Sequence, residues 1–311
     1  MHLVIFGLGY CGVAIARLAR SHGLRVSATS RGPGRIRAPD GVAVMHFGAP
    51  LPDDTTHVLA TAPPDETGDP VMRAYGPVLA SAPALRWAGY LSTTGVYGDR
   101  GGGWVEEGTA VAPATARAAR RVAAERQWAA LGGHVAVDLF RVAGIYGPGR
   151  SAFDELRAGR ARRVAKPGHA FSRIHRDDIA GAVLAAVAQN PPPGVRVLHL
   201  ADDTPSENTD VIAEAAGLLG VPPPPEIPFE AAVATMSDMP RSFWMENRKV
   251  ASLQTQQMLG YRWRYPSHRE GLRAILAEQD AAAASVSPAG PPRSAPAGRD
   301  PAGATGDGRR P

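Results

Sequence analysis

The sequence predicts an α/β protein, a doubly wound parallel Rossmann sheet with a smaller C-terminal substrate lobe. Three observations carry that reading. A continuous apolar run, Leu3 to Phe6, enters a glycine turn and leaves as an amphipathic segment. Short apolar runs then alternate with helical patterns through about residue 145, the rhythm of a parallel sheet built from βαβ units. Beyond residue 146 the texture changes to turns, a basic stretch and a proline run.

Each element has its own local reason. In the first helix Ile15, Leu18 and Ala19 recur at helical spacing, Arg17, Arg20 and Ser21 take the other side, and Gly23 stops it. Arg25 to Arg31 is a second strand and its exit. Val42 to Phe47 reads as the third and His57 to Ala62 as the fourth, which Pro63-Pro64 end. A helix is expected over 70–84, interrupted at Gly76-Pro77. Trp87 to Leu91 forms the fifth strand, a helix follows from about Ala114 to Leu131, and Val135 to Val142 is the sixth strand. Asp177-Asp178 is expected to cap a helix whose Ile179, Ala182, Val183, Ala186 and Val187 line one face. Val195 to Leu200 is a seventh strand returning to the sheet.

The expected division follows. Residues 1–146, with 174–203 returning, make the nucleotide-binding part, and 147–173 with 204–280 make the lobe. Residues 281–311 hold 6 Pro and 5 Gly among 31, above the share at which disorder becomes the default, so an unstructured tail is expected there.

Composition closes off several classes. The net charge is +5, but the last 31 residues carry four Arg against two Asp, which leaves +3 for the remainder. That is too little for a nucleic-acid surface. Cys11 is the sole cysteine, so no internal disulfide forms and a reducing compartment is expected. No run approaches membrane-spanning length and no signal segment precedes the first strand, so the location expected is cytoplasmic. No metal-ligand spacing is present.

The turn after the first strand reads Gly7-Leu8-Gly9-Tyr10-Cys11-Gly12, a G-x-G-x-x-G in the strand–turn–helix context that gives the pattern meaning. Gly7 makes the tight turn, Gly9 lets a pyrophosphate approach the backbone, and Gly12 lets helix and strand pack closely. The helix N-terminus then offers N–H groups and a positive dipole end to a dinucleotide. Cys11 is expected as a small packed residue of this turn. At the end of the second strand stand Thr29-Ser30-Arg31, with no acid nearby and with Arg35 and Arg37 following. An acid there would accept from a ribose hydroxyl, whereas Arg31 suits a 2′-phosphate, so NADP is favoured and NAD is the alternative. Ligands in such sheets sit at the carboxyl ends of the strands. Gly7–Gly12, Ser30-Arg31, Thr61-Ala62-Pro63 and Thr93 are therefore expected to share one crevice.

Five segments together resemble the extended short-chain dehydrogenase/reductases, the NAD-dependent epimerase/dehydratase family. They are the glycine turn, Leu91-Ser-Thr-Thr-Gly-Val-Tyr-Gly98, Arg141-Val-Ala-Gly-Ile-Tyr-Gly-Pro-Gly-Arg150, Ile174-His-Arg-Asp-Asp-Ile-Ala180 and the ending Leu259 to Gly271. The likeness spans residues 1 to about 275 and is closest to an atypical branch. It implies a catalytic Ser/Thr, here Thr93, and a Y-x-x-x-K helix with a glutamate four residues after the lysine. With Glu125 as that glutamate, Arg121 stands at the lysine position and Arg117 at the tyrosine position.

That departure bears on chemistry. A guanidinium does not release a proton at working pH, so Arg117 cannot replace the tyrosine. Arg121 is expected to hold the nicotinamide ribose and Thr93 the substrate oxygen. Tyr146 is the candidate beside the pocket for the missing role. Tyr97 is expected in the core, Glu106 and Glu107 in solvent, and His175 in a structural hydrogen bond. Arg157, Arg160, Arg162, Arg163, Lys166, Arg173 and Arg176 raise the expectation of an anionic small-molecule substrate. No nucleic-acid or membrane partner is expected, and a homodimer is compatible with the sequence. Two readings follow: an NAD(P)-dependent oxidoreductase or epimerase on a small carbonyl, alcohol or sugar-like substrate, or a non-catalytic NADP-binding redox sensor.

Overall fold

The computed structural model describes residues 1–35 and 37–286. At its centre lies a parallel sheet of seven strands: β1 (His2–Phe6), β2 (Arg25–Ser30), β3 (Val42–His46), β4 (His57–Ala60), β5 (Trp87–Thr93), β6 (Ala136–Val142) and β7 (Gly194–Leu200). They lie in the order β7-β6-β5-β4-β1-β2-β3, with every neighbouring pair parallel. The order reverses between β1 and β4, and at such a switch point the loops leave a crevice.

β1 shows why its sequence is continuously apolar. Successive side chains of a strand point to opposite faces. Leu3 and Ile5 enter a core with Ile15 and Ala19 of helix α1 (Tyr10–Ser21). Val4 and Phe6 enter another with Val71, Tyr75 and Leu79 of α2 (Pro70–Ser81) and Trp128 of α3 (Ala116–Ala129). Helix α4 (Arg176–Ala188) shares the first core through Ile179, Val183 and Val187. Both faces are covered, as all-parallel sheets require.

The later chain adds α5 (Asn208–Leu218) and α6 (His268–Val286). Their Val211, Ala215, Leu272 and Ile275 form a separate small core with Tyr146 and Phe153. A second satellite gathers Val164, Ala232 and Trp244. Leu259 and Trp263, however, pack into the α1–α4 core. Three short parallel pairs tie distant segments together: Gly144–Tyr146 with Arg173–His175, Arg163–Ala165 with Glu226–Pro228, and Trp104–Val105 with Lys249–Val250.

Three expectations change. Helix α2 is continuous through Pro77, its start fixed by Asp69, whose carboxylate accepts from the Val71 and Met72 N–H groups at 2.9 Å. Helix α4 is capped by the His175 ring, which accepts from Asp177 N–H. Asp178 instead accepts from Tyr261 Oη and the Arg264 and Tyr265 N–H groups. Helix α6 runs to Val286, into the stretch expected to be unstructured. The remainder of that stretch, 287–311, lies outside the described residues. No described helix is long and apolar enough to cross a membrane.

Candidate active site

A cleft of about 490 Å³ lies over the carboxyl ends of β1, β2 and β4. Gly7, Leu8 and Gly9 line one side, Ser30 and Arg31 another, and Thr61, Ala62 and Pro63 a third. Gly7 has φ of +103°, and a Cβ on Gly12 would stand 2.3 Å from the Gly7 carbonyl oxygen. Helix and turn therefore meet at a distance only glycine permits. Thr61 Oγ1 donates to that same carbonyl at 2.6 Å, pinning β4 to the turn. Gly9 differs, because a Cβ there would meet nothing within 4 Å.

Gly9 is also the N-cap of α1, and no side chain caps this helix or places an acid in its first turn. Its first-turn N–H groups therefore have no side-chain acceptor, and its positive dipole end begins beside the open space at Gly9, which fits the diphosphate of a dinucleotide. Arg31 is exposed at the end of β2. Buried Ser30 spends its Oγ on the Gly32 N–H at 3.0 Å. The carboxylate on the opposite wall, Asp65, is clamped by Arg73 at 2.8 and 3.0 Å. The residues present fit a nicotinamide dinucleotide.

Tyr10, Cys11 and Gly12 support the turn from behind, and none of the three is among the residues lining the cleft. Tyr10 Oη donates to the Pro148 carbonyl at 3.1 Å, with the guanidinium carbons of Arg176 and Arg150 at 5.1 and 5.8 Å from its ring. Burial raises the Cys11 thiol to about 11 against the pull of Arg150 and Arg176, so it is the inert packed residue expected.

A second cleft, about 420 Å³, opens at the ends of β5 and β6 and faces the C-terminal segments. Thr93 lines it, so the expected single crevice is two clefts on one sheet edge. Thr93 Oγ1 accepts from the Gly95 N–H at 3.1 Å, leaving its own hydrogen free for a substrate oxygen. Arg117 lines the same cleft and is exposed, its guanidinium carbon 5.8 Å from the Phe243 ring centre. Phe171, Phe243 and Trp244 give this cleft an aromatic wall.

Two expected catalytic residues make contacts within the fold. Arg121 Nη1 donates to the Leu91 carbonyl at 2.8 Å and to Tyr90 Oη at 3.1 Å. That nitrogen is drawn back to β5, and Arg121 lines neither cleft. Tyr146 borders the second cleft, but its hydroxyl donates to the Ser267 carbonyl at 3.3 Å and abuts Gly271. Burial also pushes its pKa well above the usual phenol range. It is a packed residue rather than a proton donor.

Other residues resolve as structural. The His175 ring lies against Tyr146 and Tyr265, and burial lowers it to about 4. Glu106 is exposed, whereas Glu107 is buried and accepts from Thr255 Oγ1 at 2.6 Å. Much of the expected basic surface is already engaged. Arg157 bonds Gln279, Arg160 pairs with Glu155, Arg163 with Glu226, and Lys166 donates to the Trp244 carbonyl. Of that set only Arg173 lines the second cleft. Arg248 and Glu246 also line it and were missed by sequence reasoning. Their segment carries no motif, and long-range contacts, among them the pairing of Lys249–Val250 with Trp104–Val105, bring it to Thr93.

No family model matches the chain. A functionally unknown conserved protein from Silicibacter pomeroyi DSS superposes with a TM-score of 0.82 at 42% identity, over 90% of this chain and 99% of that one. MoeE5, solved with UDP-glucuronic acid and NAD, gives a TM-score of 0.71 at 19% identity over 91% of this chain and all of that chain (100%). Human epimerase family protein SDR39U1, solved with NADPH, gives 0.67 at 18% identity over 89% and 99%. A 3-diazoavenalumate denitrifying reductase from a Streptomyces species is 29% identical over 140 residues, 43% of this chain. The match spans 45% of that relative's length. The chain belongs to one family with the Silicibacter pomeroyi protein, and its fold is that of the NAD-dependent epimerases and dehydratases, the extended short-chain dehydrogenase/reductases.

Proposed function

We propose that the protein is an NAD(P)-dependent oxidoreductase acting on a small substrate held in the second cleft, with NADP preferred. The observation that carries this reading is the open space over Gly9, at the uncapped start of α1, in a cleft whose far side holds Arg31. A bound nicotinamide supplies or accepts hydride. Thr93 donates its free hydrogen to the substrate oxygen, and Arg117 adds positive charge in the same cleft. Neither group yields a proton, so the proton comes from solvent. The lost general acid lowers turnover by ~10²- to 10⁴-fold relative to a site that has one. The reductase name of the Streptomyces relative supports the reductive direction. The unpaired, buried Cys11 fits a cytoplasmic location.

Calorimetric titration of the full chain with NADPH and with NADH tests the cofactor, and NADPH is expected to bind more tightly. Binding of neither removes the reading. The second reading, a redox sensor, is favoured by Arg117, which the family resemblance sets at the position of the catalytic tyrosine. Cofactor binding without turnover on any carbonyl compound would select it.

A further inference from the structure

The second cleft holds a guanidinium that the functional reading leaves unused. Arg248 is nearly buried, its side chain 13% exposed. Its Nη1 is fully engaged, donating to the Gly98 carbonyl at 2.9 Å and to Glu246 Oε2 at 2.5 Å. The other edge of the guanidinium is not. Nε is buried with no hydrogen-bond partner among the described residues, and no described residue accepts from Nη2. Nη2 is the nitrogen beside the Gly95 gap, a charged donor that matches an oxygen of a carboxylate. A buried donor left unmade is costly, so such an edge calls for an acceptor from a ligand.

Gly95 shows where that edge points. A Cβ built on Gly95 would lie 3.4 Å from Thr93 Oγ1 and 3.8 Å from Arg248 Nη2. The missing side chain leaves a gap with the free hydroxyl on one side and the free guanidinium edge on the other. Around it the cleft carries Arg117, Arg150 and Arg173 against one carboxylate, Glu246, which Arg248 already neutralises. Phe171, Phe243 and Trp244 supply flat apolar surface.

We propose that Arg248 is the specificity residue of this site, binding the carboxylate of a small aromatic acid whose reacting oxygen meets Thr93. This rests on the second cleft being the substrate site. It is independent of which nicotinamide the first cleft holds.

The test uses the full chain and calorimetry, with cinnamate, its uncharged amide, and inorganic phosphate as probes. Cinnamate is expected to bind at least about tenfold more tightly than cinnamamide. Arg248→Gln should erase that preference and leave NADPH affinity unchanged. Because this variant also loses the bonds to Gly98 and Glu246, Gly95→Ala is the second test. Its methyl would sit in ordinary contact with its neighbours yet fill the gap, so the fold should persist while cinnamate binding falls. The proposal is overturned if acid and amide bind alike, if phosphate binds and cinnamate does not, or if Gly95→Ala keeps the full preference. Cinnamate binding without NADPH binding would sink the cofactor reading and leave this one standing.

Discussion

Arg141 meets Glu125 side-on behind the second cleft, with Nη2 to Oε2 at 2.8 Å and Nε to Oε1 at 3.2 Å. Both side chains are more than nine-tenths buried, at 8% and 6% exposed. Ser92 Oγ donates to the same carboxylate at 2.6 Å, and Arg141 Nη1 donates to Tyr97 Oη at 2.7 Å. Tyr97 in turn lies 2.5 Å from His199 Nε2, whose Nδ1 bonds the Ala251 carbonyl at 2.6 Å. A carbonyl only accepts, so Nδ1 carries the hydrogen and Nε2 accepts from the tyrosine. Removing one member leaves a buried charge without its partner. Glu125→Ala should cost about 3–5 kcal/mol, read as a drop in the urea midpoint.

The glycine turn separates folding from binding. Gly12→Ala drives a methyl into the Gly7 carbonyl, and a destabilisation of about 1–3 kcal/mol is expected. Gly9→Ala meets nothing and should cost less than about 1 kcal/mol. It should nonetheless weaken NADPH binding at least about tenfold, since the methyl occupies the place where a diphosphate nears the backbone. Thermal unfolding and calorimetry on the two variants check both halves.

Arg31 is the exposed cation at the end of β2. Arg31→Ala should lower NADPH affinity at least about tenfold and leave NADH affinity nearly unchanged, because only the former carries the extra phosphate. Titration of one variant with both cofactors decides it.

Two hydroxyls on the second cleft should behave oppositely. Tyr146→Phe removes a bond to the Ser267 carbonyl; its cost is about 1 kcal/mol of stability, with turnover unchanged. Thr93→Val removes the free donor and should lower kcat/KM about a hundredfold. Steady-state kinetics on the two variants, with melting curves, makes the comparison.

Acid should unfold the protein in part through buried histidines. Burial depresses His57, His169 and His175 to about 4, from an ordinary 6.5. In the unfolded chain each takes its proton near 6.5, while in the fold each stays neutral. Stability is therefore whole above pH 6.5 and is lost as pH falls toward 4, by up to about 1.4 kcal/mol per pH unit for each ring. Asp202, raised by burial, acts with the opposite sign, so a variant is needed to isolate one histidine. His175→Asn keeps a good N-cap for α4. Its stability should fall less steeply between pH 6.5 and 4 than that of the parent, as denaturant titrations at each pH will show.

What the sequence revealed was local. The β1 run, the glycine spacing and the alternation through β6 are written in neighbouring residues, so sheet and first cleft could be read directly. The destination of a long side chain is not written locally. Arg121 falls at the lysine position by the family resemblance, yet its Nη1 finds the Leu91 carbonyl, and Tyr146 turns to Ser267 because α6 arrives there. Arg248 lay beyond reach for the same reason. Its place depends on a two-residue strand pairing with Trp104–Val105 that no periodicity announces. The continuity of α2 was missed because Gly76-Pro77 reads locally as a break, whereas the helix runs through it to Ser81.

That strand pairing belongs to a longer seam. Arg100 and Gly102 N–H groups both donate to the Asn247 carbonyl, Asn247 N–H donates to Asp99, Lys249 N–H to the Gly103 carbonyl, and Ala251 N–H to the Val105 carbonyl. The backbone on either side of Arg248 is thus stitched to the loop that leaves β5, and not to the preceding Asp238–Trp244 helix, whose Ser242, Phe243 and Trp244 help wall the cavity. The aromatic side chains on that helix can differ in sequence while the guanidinium keeps its station beside Thr93. A lineage could reshape the tolerated ring or chain on its ligands and still demand the same charged handle.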